Sequence, residues 1–383
     1  MSDLKLSSKL PEIGTSIFAV MSKMANDYNA INLSQGFPDF NCSDELIDLV
    51  NYYMKKGFNQ YAPMPGTIEL RKQISEKVIR DYNQNYDYEN EITITAGATQ
   101  ALYTAFSTII HPGDEVIIFE PAYDSYVPAI KINGGIPINI QLHKNNFSIP
   151  WEKVRQSITK NTKCIVINSP HNPTGSILNE DDIYQLIEIV KGKDIFIISD
   201  EVYEHIVFDD KVHFSLARYD ELAKRSFIIS SFGKTFHTTG WKIGYCCAPK
   251  ELTKEFRRIH QFIVFSVNTP IQLALAAFMK DPKNIYSLSK FYQDKRDLFI
   301  SLVKNSRFDL RPCNGTYFQL LDYHKLSDKN DTDFCEHLTK EIGVAAIPLS
   351  PFYRDGTDEK LIRICFAKRD EVLRQAAEKL CSI

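Results

Sequence analysis

The stretch EITITAGATQALYTAFSTIIHPGDEVIIF, residues 91–119, has the pattern of a strand, a helix and a second strand. The runs at 91–95 and 114–119 are short and almost entirely apolar, whereas the apolar residues between them recur at helical spacing. Similar apolar runs follow at 163–169, 194–199, 226–231 and 242–248. Buried strands that alternate with helices are typical of a mainly parallel sheet covered on both faces. The sequence therefore predicts an α/β fold.

The C-terminal part of the chain has a different pattern. A long helical stretch at 286–304 precedes a strand-like run at 315–323 and a further mixture of helices and strands. This mixture is typical of a smaller α+β unit with antiparallel strands. We therefore predict a large domain at residues 45–283 and a small domain formed by residues 1–44 and 284–383.

Bulk properties exclude several classes of protein. The 383 residues include 45 Lys and Arg against 48 Asp and Glu, with no basic block, which argues against a nucleic-acid or membrane partner. We recognise no signal peptide and no bilayer-length apolar run, so we expect a cytoplasmic protein. The 8 cysteines include no C-x-x-C pair and the 9 histidines no H-E-x-x-H motif, so we expect neither a disulfide nor a metal site.

Small and polar residues follow the predicted strands. Ligands of parallel sheets bind beyond the carboxyl ends of the strands, so these residues should converge on one rim. In chain order they are Gly97, Ala98, Thr99, Tyr123, Asn172, Asp200, Tyr203, Ser231 and Lys234. The convergence predicts a ligand site at this edge of the sheet.

Lys234 lies in a turn within SSFGKTFHTTGWKIGYCCAP, residues 230–249. A phosphate loop of the form G-x-x-x-x-G-K-[ST] would need glycine at position 228, where the chain has Ile228. A lysine deep in a cleft loses its proton readily because burial disfavours the ammonium form. The neutral amine is a nucleophile that forms Schiff bases with carbonyls, as in pyridoxal-phosphate enzymes. We therefore predict that Lys234 is catalytic.

The rim also offers a phosphate site. The helix that opens with Gly97, Ala98 and Thr99 presents free N–H groups and a favourable dipole to an anion. Ser231 and Lys242 can add a hydroxyl group and a positive charge. These five residues are the predicted binding site for the phosphate of pyridoxal phosphate.

Other rim residues match the remaining needs of this cofactor. Asp200 can keep the ring nitrogen protonated, and Asn172 and Tyr203 can donate to the ring oxygen. Tyr123 can stack on the ring face. Arg363 is the best candidate for a bidentate contact with the carboxylate of an amino-acid substrate.

Eight motifs occur in order along the chain: SQGFPDF, QYAPMPG, TAGATQAL, PAYDSY, NSPHNPTG, SDEVYEH, SSFGKTFHTTGWKIGY and IRICFAK. Together they resemble the class I/II aminotransferases, the pyridoxal-phosphate enzymes of fold type I, from about Gly14 to the C-terminus. The chain is most similar to the bacterial methionine aminotransferase group and also resembles kynurenine aminotransferases. The resemblance implies an aspartate aminotransferase-like fold and pyridoxal 5'-phosphate as cofactor.

The resemblance also implies roles for individual residues. Lys234 would bind the cofactor as an aldimine and move the α-proton of the substrate, with Asp200 and Tyr203 as its catalytic partners. Many family members have arginine at the position of Lys242. Lysine keeps the charge there but loses the bidentate fork, and the methionine-type group resembles this chain in that respect.

Substrate and subunit contacts follow from the same resemblance. Arg363, Asn172 and the backbone of Gly36 would bind the substrate carboxylate. Tyr61 of QYAPMPG would reach the cofactor of a neighbouring subunit, which implies a homodimer with active sites at the interface. Phe18, Phe37 and Phe265 are candidates for a side-chain pocket, although core packing explains them equally well.

The implied reaction is ping-pong transamination between an L-amino acid and a 2-oxo acid. Methionine, aromatic or glutamine-like side chains are the expected donors. A kynurenine aminotransferase or a cysteine-S-conjugate β-lyase would use the same residues, so the sequence leaves both open. A non-catalytic sensor is disfavoured because every catalytic position is filled, and a nicotinamide dehydrogenase because no G-x-G-x-x-G follows the first strand.

Overall fold

The computed structural model describes residues 6–383. Its α-helices are Ile17–Asp27 (α1), Asp44–Lys55 (α2), Ile68–Tyr82 (α3), Ala98–Ile109 (α4), Tyr126–Ile132 (α5), Trp151–Ser157 (α6), Glu180–Val190 (α7), Asp220–Ala223 (α8), Phe232–Thr235 (α9), Lys250–Ile263 (α10), Thr269–Phe278 (α11), Lys283–Val303 (α12), Asp331–His337 (α13) and Asp370–Cys381 (α14). Its strands are Ile31–Asn32 (β1), Ile92–Thr95 (β2), Glu115–Glu120 (β3), Ile136–Gln141 (β4), Thr162–Asn168 (β5), Phe196–Asp200 (β6), Ser226–Ser231 (β7), Gly244–Cys247 (β8), Asp309–Leu310 (β9), Phe318–Asp322 (β10), Val344–Ala345 (β11), Ile347–Pro348 (β12) and Leu361–Cys365 (β13).

The largest sheet has seven strands in the order β2-β8-β7-β6-β5-β3-β4. Strand β8 is antiparallel to both of its neighbours, and the remaining pairs are parallel. The predicted α/β fold with a mainly parallel sheet is thus confirmed. Strand β4 at the sheet edge was not predicted, because Pro137 and the polar Asn139 interrupt its apolar pattern.

Alternate residues of the central strands pack into two separate cores. Ile117 and Ile165 belong to one buried cluster, whereas Val116 and Val166 belong to the other. Helix α4 covers the second face with residues such as Phe106. Because both faces are buried, these strands carry apolar residues at nearly every position.

The C-terminal part forms a four-stranded antiparallel sheet in the order β12-β13-β10-β9. Strand β1 pairs in parallel with β11, so the segment around Ile31 joins this part of the molecule. The division into a large domain at residues 45–283 and a small domain of residues 1–44 and 284–383 stays a prediction, and residues 1–5 lie outside the described residues.

Strand β13 contacts two segments that are distant from it in sequence. Leu320 of β10 is paired with Arg363 of β13. The Cys365 N–H donates to the Leu33 carbonyl at 2.8 Å, which places the segment after β1 beside β13. Of the helices in the described part of the chain, none is both long and apolar enough to cross a membrane.

Candidate active site

A cavity of about 230 Å³ lies where the large sheet meets the segments after β1 and around β13. Several loops that follow the carboxyl ends of large-sheet strands open into it. It is lined by every residue predicted for the site except Tyr61, namely Gly36, Gly97, Ala98, Thr99, Tyr123, Asn172, Asp200, Tyr203, Ser231, Lys234, Lys242 and Arg363. The structure therefore brings together side chains that are widely separated in sequence.

Lys234 lies on the short helix α9, directly after β7. Its Nζ donates to the Gly36 carbonyl at 3.0 Å and to the Tyr317 hydroxyl at 2.8 Å, and no carboxylate of residues 6–383 forms an ion pair with it. Burial lowers the pKa of Lys234 to about 8, and the positive charge of Arg363 acts in the same direction. The amine is thus held as a weak base and a potential nucleophile.

Asp200 ends β6 and is buried on the same cavity. Tyr126 donates its hydroxyl to Oδ2 at 2.6 Å. Burial raises the pKa of Asp200 to about 6, although the bond from Tyr126 opposes this rise. Among residues 6–383, its second oxygen, Oδ1, has only a long contact of 3.4 Å with the Val202 N–H. Asp200 can therefore accept a stronger hydrogen bond from a cationic ring nitrogen.

Two tyrosines present aromatic surface to the cavity. The Tyr203 ring packs edge-on against Tyr317 at 5.3 Å between centroids, and burial raises the pKa of its hydroxyl above the usual value. Tyr123 packs edge-on against Tyr126 at 5.6 Å, and burial raises the pKa of its hydroxyl. Both hydroxyls are expected to stay protonated and to act as hydrogen-bond donors at neutral pH.

The N-terminus of α4 forms another wall. Gly97 precedes the helix with φ +78, a conformation that favours glycine, and no side chain caps the helix. A Cβ at Gly97 would lie 3.4 Å from the Lys242 Nζ, so this ammonium group lies close to the free helix end. Ser231 accepts a bond from the Gly233 N–H at 3.2 Å and keeps its own proton to donate. These groups together suit an anion such as a phosphate.

Arg363 is only 1% exposed. One Nη donates to the Asn172 Oδ1 at 2.7 Å and the other to the Ser34 carbonyl at 3.2 Å, whereas Nε has no partner among residues 6–383. The guanidinium carbon lies 3.9 Å from the Phe318 ring centroid, and burial lowers the pKa of Arg363 to about 10. A buried cation that lacks a carboxylate is well suited to bind an anionic ligand.

Tyr61 does not reach this cavity within its own chain. Its side chain is 81% exposed and packs edge-on against Phe265 at 5.2 Å. Of the three phenylalanine candidates, Phe18 and Phe37 line the cavity and Phe265 does not. A role for Tyr61 would therefore require a second subunit.

Sequence reasoning missed three side chains that contact the site. Tyr126 bonds to Asp200, Tyr317 bonds to Lys234, and Phe318 packs on Arg363. The only signal for Tyr126 was its place in PAYDSY, three residues after Tyr123. Tyr317 and Phe318 lie in a run that reads as an ordinary apolar strand, so their contacts appear only in three dimensions.

Comparison with known proteins places this arrangement in a family. The model of aminotransferase classes I and II matches residues 28–380. The chain is 46% identical to the methionine aminotransferase of Escherichia coli over 97% of both chains. It is 33% identical to the kynurenine–oxoglutarate transaminase of Dictyostelium discoideum, with 99% of this chain and 96% of the relative covered.

Solved structures agree with this placement. The structure of YbdL from Escherichia coli, which is described as having a methionine aminotransferase function, matches with a TM-score of 0.97, 46% identity and coverage of 99% and 100%. Thermus thermophilus aspartate aminotransferase with maleate matches with a TM-score of 0.91, 28% identity and 99% coverage of both chains. The fold is therefore aspartate aminotransferase-like, and this chain belongs to the class I and II aminotransferase family.

Proposed function

We propose that the chain binds pyridoxal 5'-phosphate through Lys234 and transaminates L-methionine and similar uncharged amino acids with a 2-oxo acid. The observation that carries the proposal is the buried Lys234 amine, which shares one cavity with Asp200 and the free N-terminus of α4. Members of this family use pyridoxal phosphate, and the relatives include a methionine aminotransferase.

The cavity fits this cofactor at both of its polar ends. At one end, the α4 N-terminus, Ser231 and the Lys242 ammonium are suited to a phosphate. At the other, the Asp200 Oδ1 accepts only a long bond from the protein. Asn172 and Tyr203 would contact the ring oxygen, and Tyr123 would contact the ring face.

When bound, pyridoxal phosphate supplies an aldehyde that bonds to amines and a ring that accepts the electrons of the broken Cα–H bond. Lys234 would first carry the cofactor and then, once displaced by the substrate amine, take the α-proton on Nζ. A pKa near 8 leaves a useful fraction of this amine neutral at neutral pH. Asp200 would keep the ring nitrogen protonated, which strengthens the electron withdrawal.

Arg363 would bind and orient the substrate carboxylate. Its unpartnered Nε and buried position favour a carboxylate ligand, with Asn172 and the Gly36 backbone beside it. The Gly36 carbonyl already accepts bonds from Lys234 and Tyr317, so the Gly36 N–H is the backbone group left for the substrate.

The charge of the cavity supports an uncharged substrate side chain. Among the described residues that line it, the cations are Lys234, Lys242 and Arg363, and each already has a proposed task. A second carboxylate, as in aspartate, would find no further cation among the described residues that line the cavity within one chain. Phe18 and Phe37 instead offer apolar surface to a thioether or an aromatic ring.

The proposed assembly is a cytoplasmic homodimer in which Tyr61 reaches the cofactor of the other subunit. The support is the high exposure of Tyr61, whose ring packs against Phe265, and of Phe262, which lies three residues before Phe265 and is 86% exposed. Large apolar side chains exposed together are typical of an interaction surface. Sedimentation of the wild type and of a Phe262→Glu variant tests the assembly, and we expect the charge to shift the population towards monomer.

The visible absorbance spectrum of the purified protein is the direct test of the proposed chemistry. We expect a yellow band that disappears on addition of L-methionine alone and returns with a 2-oxo acid. A protein that stays colourless after incubation with pyridoxal phosphate would contradict the cofactor assignment. A band that does not change on addition of methionine would contradict the substrate assignment but not the cofactor assignment.

Kynurenine transamination and β-elimination from cysteine conjugates remain the alternatives on the same residues. The similarity to the Dictyostelium kynurenine–oxoglutarate transaminase favours testing the first. Competition between L-methionine and L-kynurenine for one oxo acid ranks the two donors by kcat/KM. Release of pyruvate and ammonia from a cysteine conjugate, without any oxo acid, would indicate elimination.

A further inference from the structure

The Lys234 amine is held by two oxygen atoms, one of which belongs to Tyr317. The Nζ to hydroxyl distance is 2.8 Å and the Nζ to Gly36 carbonyl distance is 3.0 Å. The Tyr317 hydroxyl itself donates to the Gly36 carbonyl at 2.5 Å. Because its single proton is used there, the hydroxyl oxygen can only accept a bond from Lys234.

This geometry orients the nitrogen. The two oxygens lie on the same side of Nζ, because they are only 2.5 Å from each other, so the opposite side of the nitrogen receives no bond from this pair. In the neutral amine the lone pair points to that opposite side, and the lone pair is the part of the group that attacks a carbonyl or takes a proton. The two acceptors therefore keep the lone pair free of the protein's own hydrogen bonds.

The Tyr317 side chain is itself rigidly placed. It is fully buried, and its ring packs edge-on against Tyr203 at 5.3 Å and against Phe318 at 5.0 Å. The preceding residue, Thr316, has φ +66, a left-handed conformation that is unfavourable for a β-branched side chain. Its N–H donates to the Ile206 carbonyl at 2.9 Å. Strained backbone of this kind is concentrated at functional sites.

We propose that Tyr317 is a positioning residue for Lys234, and that its hydroxyl and the Gly36 carbonyl together hold and orient the amine whenever it is not bonded to the cofactor. The inference rests on the proposed function, because a defined position for the free amine matters only if Lys234 leaves the cofactor during the reaction.

The proposal has a consequence for proton binding. Two acceptors stabilise the ammonium form, since it offers three donors and a positive charge. They oppose the effect of burial, so removing the Tyr317 hydroxyl lowers the pKa of Lys234 further. The other charged or titratable groups that face the amine are Asp200, Arg363, Cys365, Lys242 and Tyr203.

Tyr317→Phe removes the hydroxyl, and Tyr292→Phe is the matched control. The Tyr292 hydroxyl is buried without a partner among residues 6–383, and its ring lies 5.4 Å from that of Tyr317. In each full-length chain freed of cofactor, isotope-labelled acetic anhydride is used to modify Lys234 across a pH series. Peptide mass spectrometry then gives the pH at which half of the maximal labelling rate is reached.

We expect the midpoint of Tyr317→Phe to fall by about one to two pH units, the size of one charge-assisted hydrogen bond. The midpoint of Tyr292→Phe should equal that of the wild type. Equal midpoints in all three folded chains, as judged by circular dichroism, would overturn the proposal. This measurement needs neither activity nor cofactor, so its failure differs from a failure of the proposed function.

A second variant keeps Tyr317 and removes the amine, which covers the case in which Tyr317→Phe does not fold. With tyrosine labelled by ¹³C at Cζ, we expect Lys234→Met to shift a buried tyrosine resonance that Lys280→Met leaves in place. If no tyrosine resonance moves in Lys234→Met, the hydrogen bond is absent in solution and the proposal is wrong.

Discussion

Lys77 and Lys234 have opposite surroundings inside this protein. Lys77 on α3 forms an ion pair with Glu204 and donates to the Tyr245 hydroxyl at 2.9 Å. Lys234 has no carboxylate partner in the described part of the chain and opens onto the cavity. Lack of an anionic partner does not by itself make a lysine reactive, since the buried Lys368 bonds to the Phe37 carbonyl and has no ion pair within residues 6–383. Lys234 combines this lack with an opening onto the cavity.

Two buried carboxylates, Glu204 and Asp200, differ in the same way. Burial alone would raise the pKa of the first, but Lys77, His205 and Ser230 together lower it well below the usual value. Asp200, four residues earlier, has a pKa raised to about 6, because burial outweighs the single short bond from Tyr126. One carboxylate is fully engaged within the protein, and the other retains capacity for a ligand.

Two buried arginines repeat the comparison. Arg296 makes two bonds to the Asp209 carboxylate at 2.7 and 2.6 Å. Arg363 makes only neutral contacts and keeps one unpartnered nitrogen within the described chain. Lack of a carboxylate alone is not sufficient evidence for a site, since Arg71 bonds to backbone carbonyls such as that of Gly66 and lies outside the cavity.

The largest expected effect is on activity. Lys234→Met should reduce transamination by roughly 10⁴-fold, the upper end of what a general base contributes. Lys77→Met should leave kcat per folded molecule within a few fold. If both variants lose activity equally while circular dichroism shows both chains to be folded, the distinction between Lys77 and Lys234 is wrong.

The second effect is on stability. Lys77→Met leaves the Glu204 carboxylate buried without its partner, so we expect the free energy of unfolding to fall by about 3–5 kcal/mol. Urea denaturation of the cofactor-free chain measures this loss. The double variant Lys77→Met/Glu204→Gln should recover part of it, because it removes the uncompensated charge. A single variant as stable as the wild type would show that the ion pair is not needed.

The third effect is on substrate recognition. Arg363→Lys loses the bidentate fork, so we expect kcat/KM for the amino donor to fall by about 10- to 100-fold. The absorbance of the bound cofactor should stay unchanged. Arg296→Lys is the control, and it should alter stability and leave KM as it is. A shared rise in KM would indicate a general structural effect instead.

The smallest expected effect is a gain in the free energy of unfolding of Lys234→Met, whereas Lys77→Met should lower it. Burial lowers the pKa of Lys234 from 10.5 to about 8, so protonated Lys234 destabilises the native cofactor-free chain at pH 7. Between pH 8 and 10.5 the unfolded chain binds more protons than the native one, and the stability of the wild type therefore rises with pH. Lys234→Met should then be about 1 kcal/mol more stable at pH 7, after allowance for two lost hydrogen bonds. The urea midpoints of the two chains should cross at about pH 9, above which the wild type is the more stable chain, and a difference that stays constant with pH would contradict the shifted pKa.

The sequence predicted most of the large sheet because its strands are buried on both faces and their apolar runs are nearly continuous. It did not predict β4, an edge strand whose pattern is broken by Pro137 and Asn139. Strand β8 looked like its neighbours, since strand direction leaves little trace in composition. The chain reverses direction between β7 and β8, in the turn that follows Lys234. Lys242 in this turn has φ +55.

The candidate site was predicted where a residue directly follows a strand. The rule that ligands bind at the carboxyl ends of parallel strands needs only local sequence. This rule did not find Tyr317, because its contact with Lys234 spans 83 positions and depends on how the two sheets meet. Tyr61 remains a prediction, because its proposed partner lies in another subunit.

The order of the site residues along the chain bears on how the protein is synthesised. The residues proposed to hold the cofactor within one chain lie between Gly97 and Lys242, whereas the proposed carboxylate anchor, Arg363, lies far beyond them. On the ribosome, which makes the N-terminal part first, the cofactor pocket can be assembled before the substrate anchor has emerged. A nascent chain that stops before β13 would present a reactive amine with no means of selecting amino acids.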